Sequence, residues 1–223
     1  MQNRNILDIY KTYKIMPNLA THMFRVSAVA KMIIDNWQGK EIIDENKLIT
    51  GALLHDMGNI IKFRLNYFPE FLEPEGIEYW QNVQNEYFEK YGPDEHKATE
   101  IIMRELNLVY GIVELVHTMY FSLLCKHRDD APWELKILHY ADMRVGPFGI
   151  VSYEERMADV KKRYADVPHD EFNKIESDTR EQLLNCGKDI EGQIFANCKI
   201  KPEDINDQSA KGVIEELKNF VLR

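Results

Sequence analysis

Cysteine is scarce in this chain: Cys125, Cys186 and Cys198 are the only three among 223 residues. They are an odd number at no recognisable metal spacing, and no basic start followed by an apolar stretch opens the sequence, so a reducing cytoplasm is the expected setting. Long apolar runs are also missing. Segments such as VSAVAKMII fall far short of the roughly 20 residues that cross a bilayer, so a soluble protein with no membrane contact is expected. Positive charge is in the minority, with 28 Lys and Arg against 37 Asp and Glu and a formal net charge of -9. That balance excludes a general attraction to nucleic acid or anionic membrane, while leaving room for a local basic cluster around a small phosphorylated molecule. No repeats, low-complexity tracts or strand-like alternation between hairpin turns occur.

What is present is helical periodicity over a chain that is 44% hydrophobic, enough for one substantial core. Leu19, Met23, Val26, Ala30, Ile33 and Trp37 recur every three or four residues and predict an amphipathic helix over 18–37, with Pro17 harmless at its start. A second helix over 44–57 is apolar almost all round at LITGALL and meets Gly58, a residue suited to a C-terminal cap. Residues 64–76, RLNYFPEFLEPEG, read as an ordered excursion. Helices are expected at about 78–90, 93–106, 109–125 and 132–145. The break GPFG, 146–149, is followed by helices near 153–165, 170–197 and 209–222. The expected architecture is all-α: a site-bearing core over 1–150 and a helical extension over 151–223, packed on it as part of one domain.

The stretch GALLHDMGN sets His55 and Asp56 side by side at the end of an apolar run. Burying such a pair costs free energy unless it is hydrogen-bonded, paired with charge or bound to a metal. Candidate partners can be placed helix by helix. His22 lies on the edge of the inward face of the first long helix. His96 falls in a first helical turn, where the positive end of the helix dipole disfavours the imidazolium and keeps a neutral, ligand-competent ring. His117 lies on an apolar face after Val113. Asp142 occupies a stripe formed by Leu135, Leu138 and Val145, where packing alone would place an aliphatic side chain, so its carboxylate calls for a cation.

This order, a first His, an adjacent His-Asp, two further His and a late Asp on successive helices, resembles the HD-domain superfamily of metal-dependent phosphohydrolases over residues 18–150. The resemblance implies that His22, His55, Asp56, His96, His117 and Asp142 are metal ligands. Members with both intermediate histidines typically hold two ions, so two divalent transition metals such as Fe, Mn or Zn are expected here. Asp56 would bridge them beside an activated water, and the ions would neutralise phosphoryl charge. Many members carry Lys three residues after the Asp of the pair; this chain has Asn59 there and Lys62 one turn on. The implied activity is hydrolysis of a nucleotide or other small phosphorylated metabolite. HD-type di-iron oxygenase chemistry and a non-catalytic signalling or binding module stand as alternatives.

Arg25, three residues after His22, Lys62, and Arg144, two residues after Asp142, are the candidate phosphate contacts. Arg25 and Arg144 could instead form structural ion pairs. Tyr67, Phe68, Phe71, Tyr79 and Trp80 could roof a base or cover core. His139 reads most simply as a core residue, with a role as a ligand or as the partner of one left open. His127, in the charged run CKHRDD, reads as solvated, and His169 as a hydrogen-bonded loop residue. The long helix after residue 170 could pack one face or serve a homodimer.

Overall fold

A computed structural model describes residues 4–164 and 175–222. His169 and the first residues of the helix expected from 170 lie outside them. The described residues form eleven α-helices joined by short 3-10 turns and contain no strand, only three isolated bridges. They are α1 (Ile6–Thr12), α2 (Pro17–Asp35), α3 (Glu45–Leu54), α4 (Gly76–Tyr91), α5 (Glu95–Glu105) and α6 (Tyr110–His117). Then come α7 (Leu124–Asp130), α8 (Trp133–Asp142), α9 (Tyr153–Tyr164), α10 (Ser177–Phe195) and α11 (Asp207–Leu217). No described helix is long and apolar enough to cross a membrane.

The periodic stripe of α2 dictates its place. Leu19, Met23, Val26, Ala30 and Ile33 are all buried, and at about 1.5 to 3 kcal/mol for each large aliphatic side chain this face outweighs the weak propensity of its valines and isoleucines. Pro17 is the first helical residue, as expected, and α2 packs against α3, α8 and α11. Short acidic caps fix where the neighbours begin: Asp44 accepts from Lys47 N at the start of α3, and Asp94 from Lys97 N at the start of α5, both at 2.9 Å.

Two expected boundaries move. Helix α3 ends at Leu54, so His55 and Asp56 sit in the turn that follows it rather than within the helix. Gly58 in that turn has φ -93°, not the left-handed conformation of a C-terminal cap. Its role is clearance: a Cβ there would lie 2.4 Å from Glu95 O and 2.8 Å from Ala98 Cβ. The bare backbone lets α5 close against the turn, where Thr99 Oγ1 accepts from Gly58 N at 2.9 Å. The helix expected over 109–125 is two, because the chain leaves α6 at Thr118 and re-enters helical geometry through the 3-10 turn Phe121–Leu123.

Residues after 150 fold back on the core. Helix α10 lies against α7 and α8, and α11 lies against α2. Ile6 N donates to Phe220 O and Leu222 N to Arg4 O, joining the two ends of the described chain. Cys125 and Cys186 form a disulfide that ties α7 to α10. Cys198 remains a thiol, its pKa pushed up to about 11 by burial.

Candidate metal centre

Because α2 packs against both α3 and α8, three elements bring distant residues to one point. His22 comes from the second turn of α2, His55 and Asp56 from the turn after α3, and Asp142 is the last residue of α8. His22 Nε2 is 3.0 Å from Asp142 Oδ1 and 3.5 Å from Asp56 Oδ2. His55 Nε2 is 3.6 Å from each of the same two carboxylates. Ligand atoms of His22, His55 and Asp56 all lie within 4.8 Å of one another.

Hydrogen bonding fixes the ring of His55. Its Nδ1 is 2.8 Å from Ala52 O, and since a carbonyl only accepts, Nδ1 carries the proton. In the neutral ring Nε2 therefore presents a lone pair toward two carboxylates, an arrangement that demands a cation between them. Without a metal the proton supplies it: burial opposes the charge on His55, but Asp56 and Asp142 outweigh burial and raise its pKa to about 9. Burial would likewise raise the Asp142 carboxyl, yet the His22 and His55 rings bring it well below the usual range. The Nε2 atoms of both histidines are buried and have no partner aligned for a hydrogen bond. Two orphaned imidazole nitrogens with the Asp56 carboxylate fit a divalent transition metal in donor type and in spacing, and Asp142 faces the same two rings.

His96 and His117 are not drawn into this quartet. His96 Nε2 is 3.7 Å from Glu95 Oε1, and its ring lies 5.0 Å from that of Tyr120. His117, at the last position of α6, is half exposed, with Nδ1 3.3 Å from Glu100 Oε2. Both line a small cleft beside His55 that also includes Glu100. His127 is buried, not solvated as its charged neighbours suggest. Its Nδ1 is 3.1 Å from Nδ1 of His139, which is also buried; one ring must donate and the other accept. Burial, with His127 adding to it, lowers the His139 pKa to about 4, so this pair is neutral where it meets the site.

The quartet opens into a cavity of about 870 Å³. Phe63 at the end of the turn after Gly58, Tyr67, Phe68 and Phe71 from the excursion, and Met119, Tyr120 and Phe121 from the α6–α7 connection give it an apolar wall. Of the five aromatics considered as a roof, Tyr67, Phe68 and Phe71 line the cavity, whereas Trp80 is core and donates from Nε1 to Leu72 O at 3.1 Å. Phe148 of the GPFG break stacks 5.5 Å from both Phe68 and Phe71, joining the excursion to the loop after α8. Lys62 lines the cavity with its Nζ 3.4 Å from Glu95 Oε1. Gln84 holds the turn beneath it, donating from Nε2 to Ile60 O at 2.7 Å and Phe63 O at 2.9 Å.

Two expected phosphate contacts are corrected. Arg144 is buried and points its guanidinium into the protein, donating to Val151 O, to Tyr140 Oη at 2.6 Å, and to Pro202 O and Ile205 O at 3.1 Å each. Residues two apart do not share a helical face, so the spacing itself turns Arg144 away from the side that carries Asp142. Arg25 pairs with Asp207 Oδ1 at 2.9 Å and donates to Phe148 O at 3.1 Å, anchoring α11 and the GPFG loop. The cations that do line the cavity, besides Lys62, are Arg64, Arg156 and Arg163. The last two come from α9, where Arg156, Val160 and Arg163 recur at helical spacing; that pattern was readable, but no apolar stripe marked which way it faced.

A family model described as HD domain matches residues 19–143, more than half of the chain. No curated protein and no solved structure matches it.

Proposed function

The chain belongs to the HD domain family, and on that premise we propose that it is a metal-dependent phosphohydrolase or phosphodiesterase acting on a nucleotide or another small phosphorylated metabolite. The observation that carries this reading is the quartet of His22, His55, Asp56 and Asp142, with its two unpartnered buried imidazole nitrogens, at a cavity lined by both cations and aromatic rings. These four residues would hold a divalent transition metal, whose chemistry when bound is to acidify water and to neutralise phosphoryl charge. The protein's own part is preorganisation. Ala52 O holds the His55 tautomer, the two carboxylates balance the ion's charge, and the aromatic wall gives the substrate's body an apolar surface beside them. Lys62, which lines the cavity beside Glu95, would meet substrate oxygen. A second ion would draw on His96 and His117 and would require those rings to turn from Glu95 and Glu100.

The test is a screen of phosphorylated metabolites with manganese, iron or zinc under anaerobic conditions, reading phosphate release. Turnover without dioxygen that Asp56→Ala abolishes supports hydrolysis. No turnover with any metal, or turnover that appears only with dioxygen, overturns it, the latter in favour of oxygenase chemistry.

A further inference from the structure

Asn18 lines the cavity from α2, one helical turn before His22. Residues four apart share a helical face, with Cβ atoms about 5–6 Å apart, so its carboxamide stands beside the metal centre. Its Oδ1 is buried and has no hydrogen-bond partner, the same condition as the Nε2 atoms of His22 and His55. For those nitrogens the missing partner is an ion. For a neutral amide it is a hydrogen-bonding group, and the fold supplies none.

The ordinary structural use of asparagine at the start of a helix is to accept from the free N–H groups of the first turn. Asn5 does so for Leu7 N before α1, and Asn206 for Gln208 N and Ser209 N before α11. Asn18 is not placed to cap: it is the second residue of α2, after Pro17, and the capping position belongs to Met16, whose side chain makes no such bond. Shielding an amide that nothing partners costs stability. A leucine of nearly the same shape would carry no such cost beside Met16 and Leu19, which line the same cavity. The amide is therefore explained by what enters the cavity.

A side-chain carboxamide offers an acceptor and a donor side by side, and its last torsion turns in a broad two-fold well, so either end can meet a ligand. Adjacent hydroxyls on a sugar ring match both at once, one donating to the oxygen and the next accepting from the nitrogen. In a sugar phosphate or a nucleotide this hydroxylated ring is the part joined to the phosphoryl group. With the phosphoryl group at the quartet, it is the part that comes within a helical turn of His22. The base of a nucleotide lies further out, and the rings of Tyr67, Phe68 and Phe71 suit its faces. We propose that Asn18 is a specificity-determining residue that recognises adjacent hydroxyls of a sugar phosphate or nucleotide bound at the quartet. The class of ligand narrows from phosphate esters at large to those carrying a hydroxylated ring. This assignment rests on the hydrolase reading for where the phosphoryl group sits, but its binding test needs no turnover.

The experiment is calorimetric titration of adenosine 5′-monophosphate, its 2′,3′-dideoxy analogue and phenyl phosphate into the full chain, purified with its metal, for wild type, Asn18→Leu and Asn18→Ala. Base and phosphate are common to the first two ligands, so the ratio of their affinities reads the hydroxyls alone. Wild type should bind the ribose form about tenfold more tightly. Both variants should bring that ratio to about one while keeping their metal and their affinity for phenyl phosphate. Asn18→Leu should also melt at a higher temperature without ligand, because a shielded, unpartnered amide is gone, a result that a purely structural asparagine would not give. A wild-type ratio near one, no binding of either nucleotide by wild type, or a ratio that persists in the variants overturns the assignment. If one variant does not fold, the other still decides it. A hydroxyl preference that depends on Asn18 in a protein that hydrolyses nothing would retain the contact and remove the hydrolase reading; an active hydrolase without that preference would do the reverse.

Discussion

His22 Nε2 lies 3.0 Å from Asp142 Oδ1, yet the nitrogen has no aligned hydrogen-bond partner. Closeness without alignment is what two ligands of one ion show when each is aimed at the ion and not at the other. Asp142→Asn keeps the shape of that side chain and removes its charge. Metal affinity should fall at least about tenfold, equivalent to about 1.4 kcal/mol, as read by competition with a chromogenic chelator. Unchanged affinity in the variant would take Asp142 out of the ligand set.

Protons and metal compete for His55. In the metal-free protein Asp56 and Asp142 hold its pKa at about 9, above the value of about 6.5 expected in an unfolded chain. A raised pKa adds stability that is fully present below pH ~6.5 and is lost as pH rises through about 9, by at most about 3 kcal/mol. Metal binding at neutral pH must expel that proton, so affinity should climb with pH until about 9. Titrating metal into chelator-treated protein in buffers of different ionisation enthalpy measures the release. A binding heat that does not depend on buffer would contradict it.

Much of this was legible in the residues, and the failures have physical causes. Periodicity located α2 because its inward face is aliphatic throughout, and it singled out Asp142 because an acid interrupts a buried stripe. Helix α1 passed unnoticed because seven residues give too short a window for a period to show. The α6–α7 break at Thr118 carries no proline or glycine, the residues by which a stop is recognised. Arg144 was misread because its partners, Pro202 O and Ile205 O, lie far along the chain. The same holds for the disulfide, whose cysteines are 61 residues apart, and for His127, buried by a partner one helix away.

Gly58 is where backbone clearance sets the shape of the site. A methyl group there would meet the α5 backbone at Glu95 O, 2.4 Å away, and at Thr99 N, 2.9 Å away. Neither can yield as a flexible side-chain tip would, so α5 must shift. Gly58→Ala should destabilise the fold by about 1–3 kcal/mol, the usual range for overpacking. It should also displace Glu95 and His96 at the cavity wall and lower activity beyond what stability explains. Thermal melts and turnover at a temperature where the variant stays folded separate the two effects. A variant as stable and active as wild type would mean that α5 does not rest on the turn as described.

Arg144 gives the sharpest contrast between a residue that binds substrate and one that holds the fold. Its guanidinium serves three backbone carbonyls and the Tyr140 hydroxyl, and that hydroxyl donates to Glu191 Oε2 at 2.7 Å. The contacts link the end of α8 to α10 and to the segment before α11. Arg144→Met preserves much of the volume but strands several of these acceptors, and at about 1–3 kcal/mol for each buried group left unpaired the loss should reach at least about 3 kcal/mol. A phosphate contact predicts the opposite pattern: near-normal stability and a raised KM. Denaturant unfolding read beside steady-state kinetics distinguishes them, and a variant with an intact midpoint but weakened substrate binding would return Arg144 to the cavity.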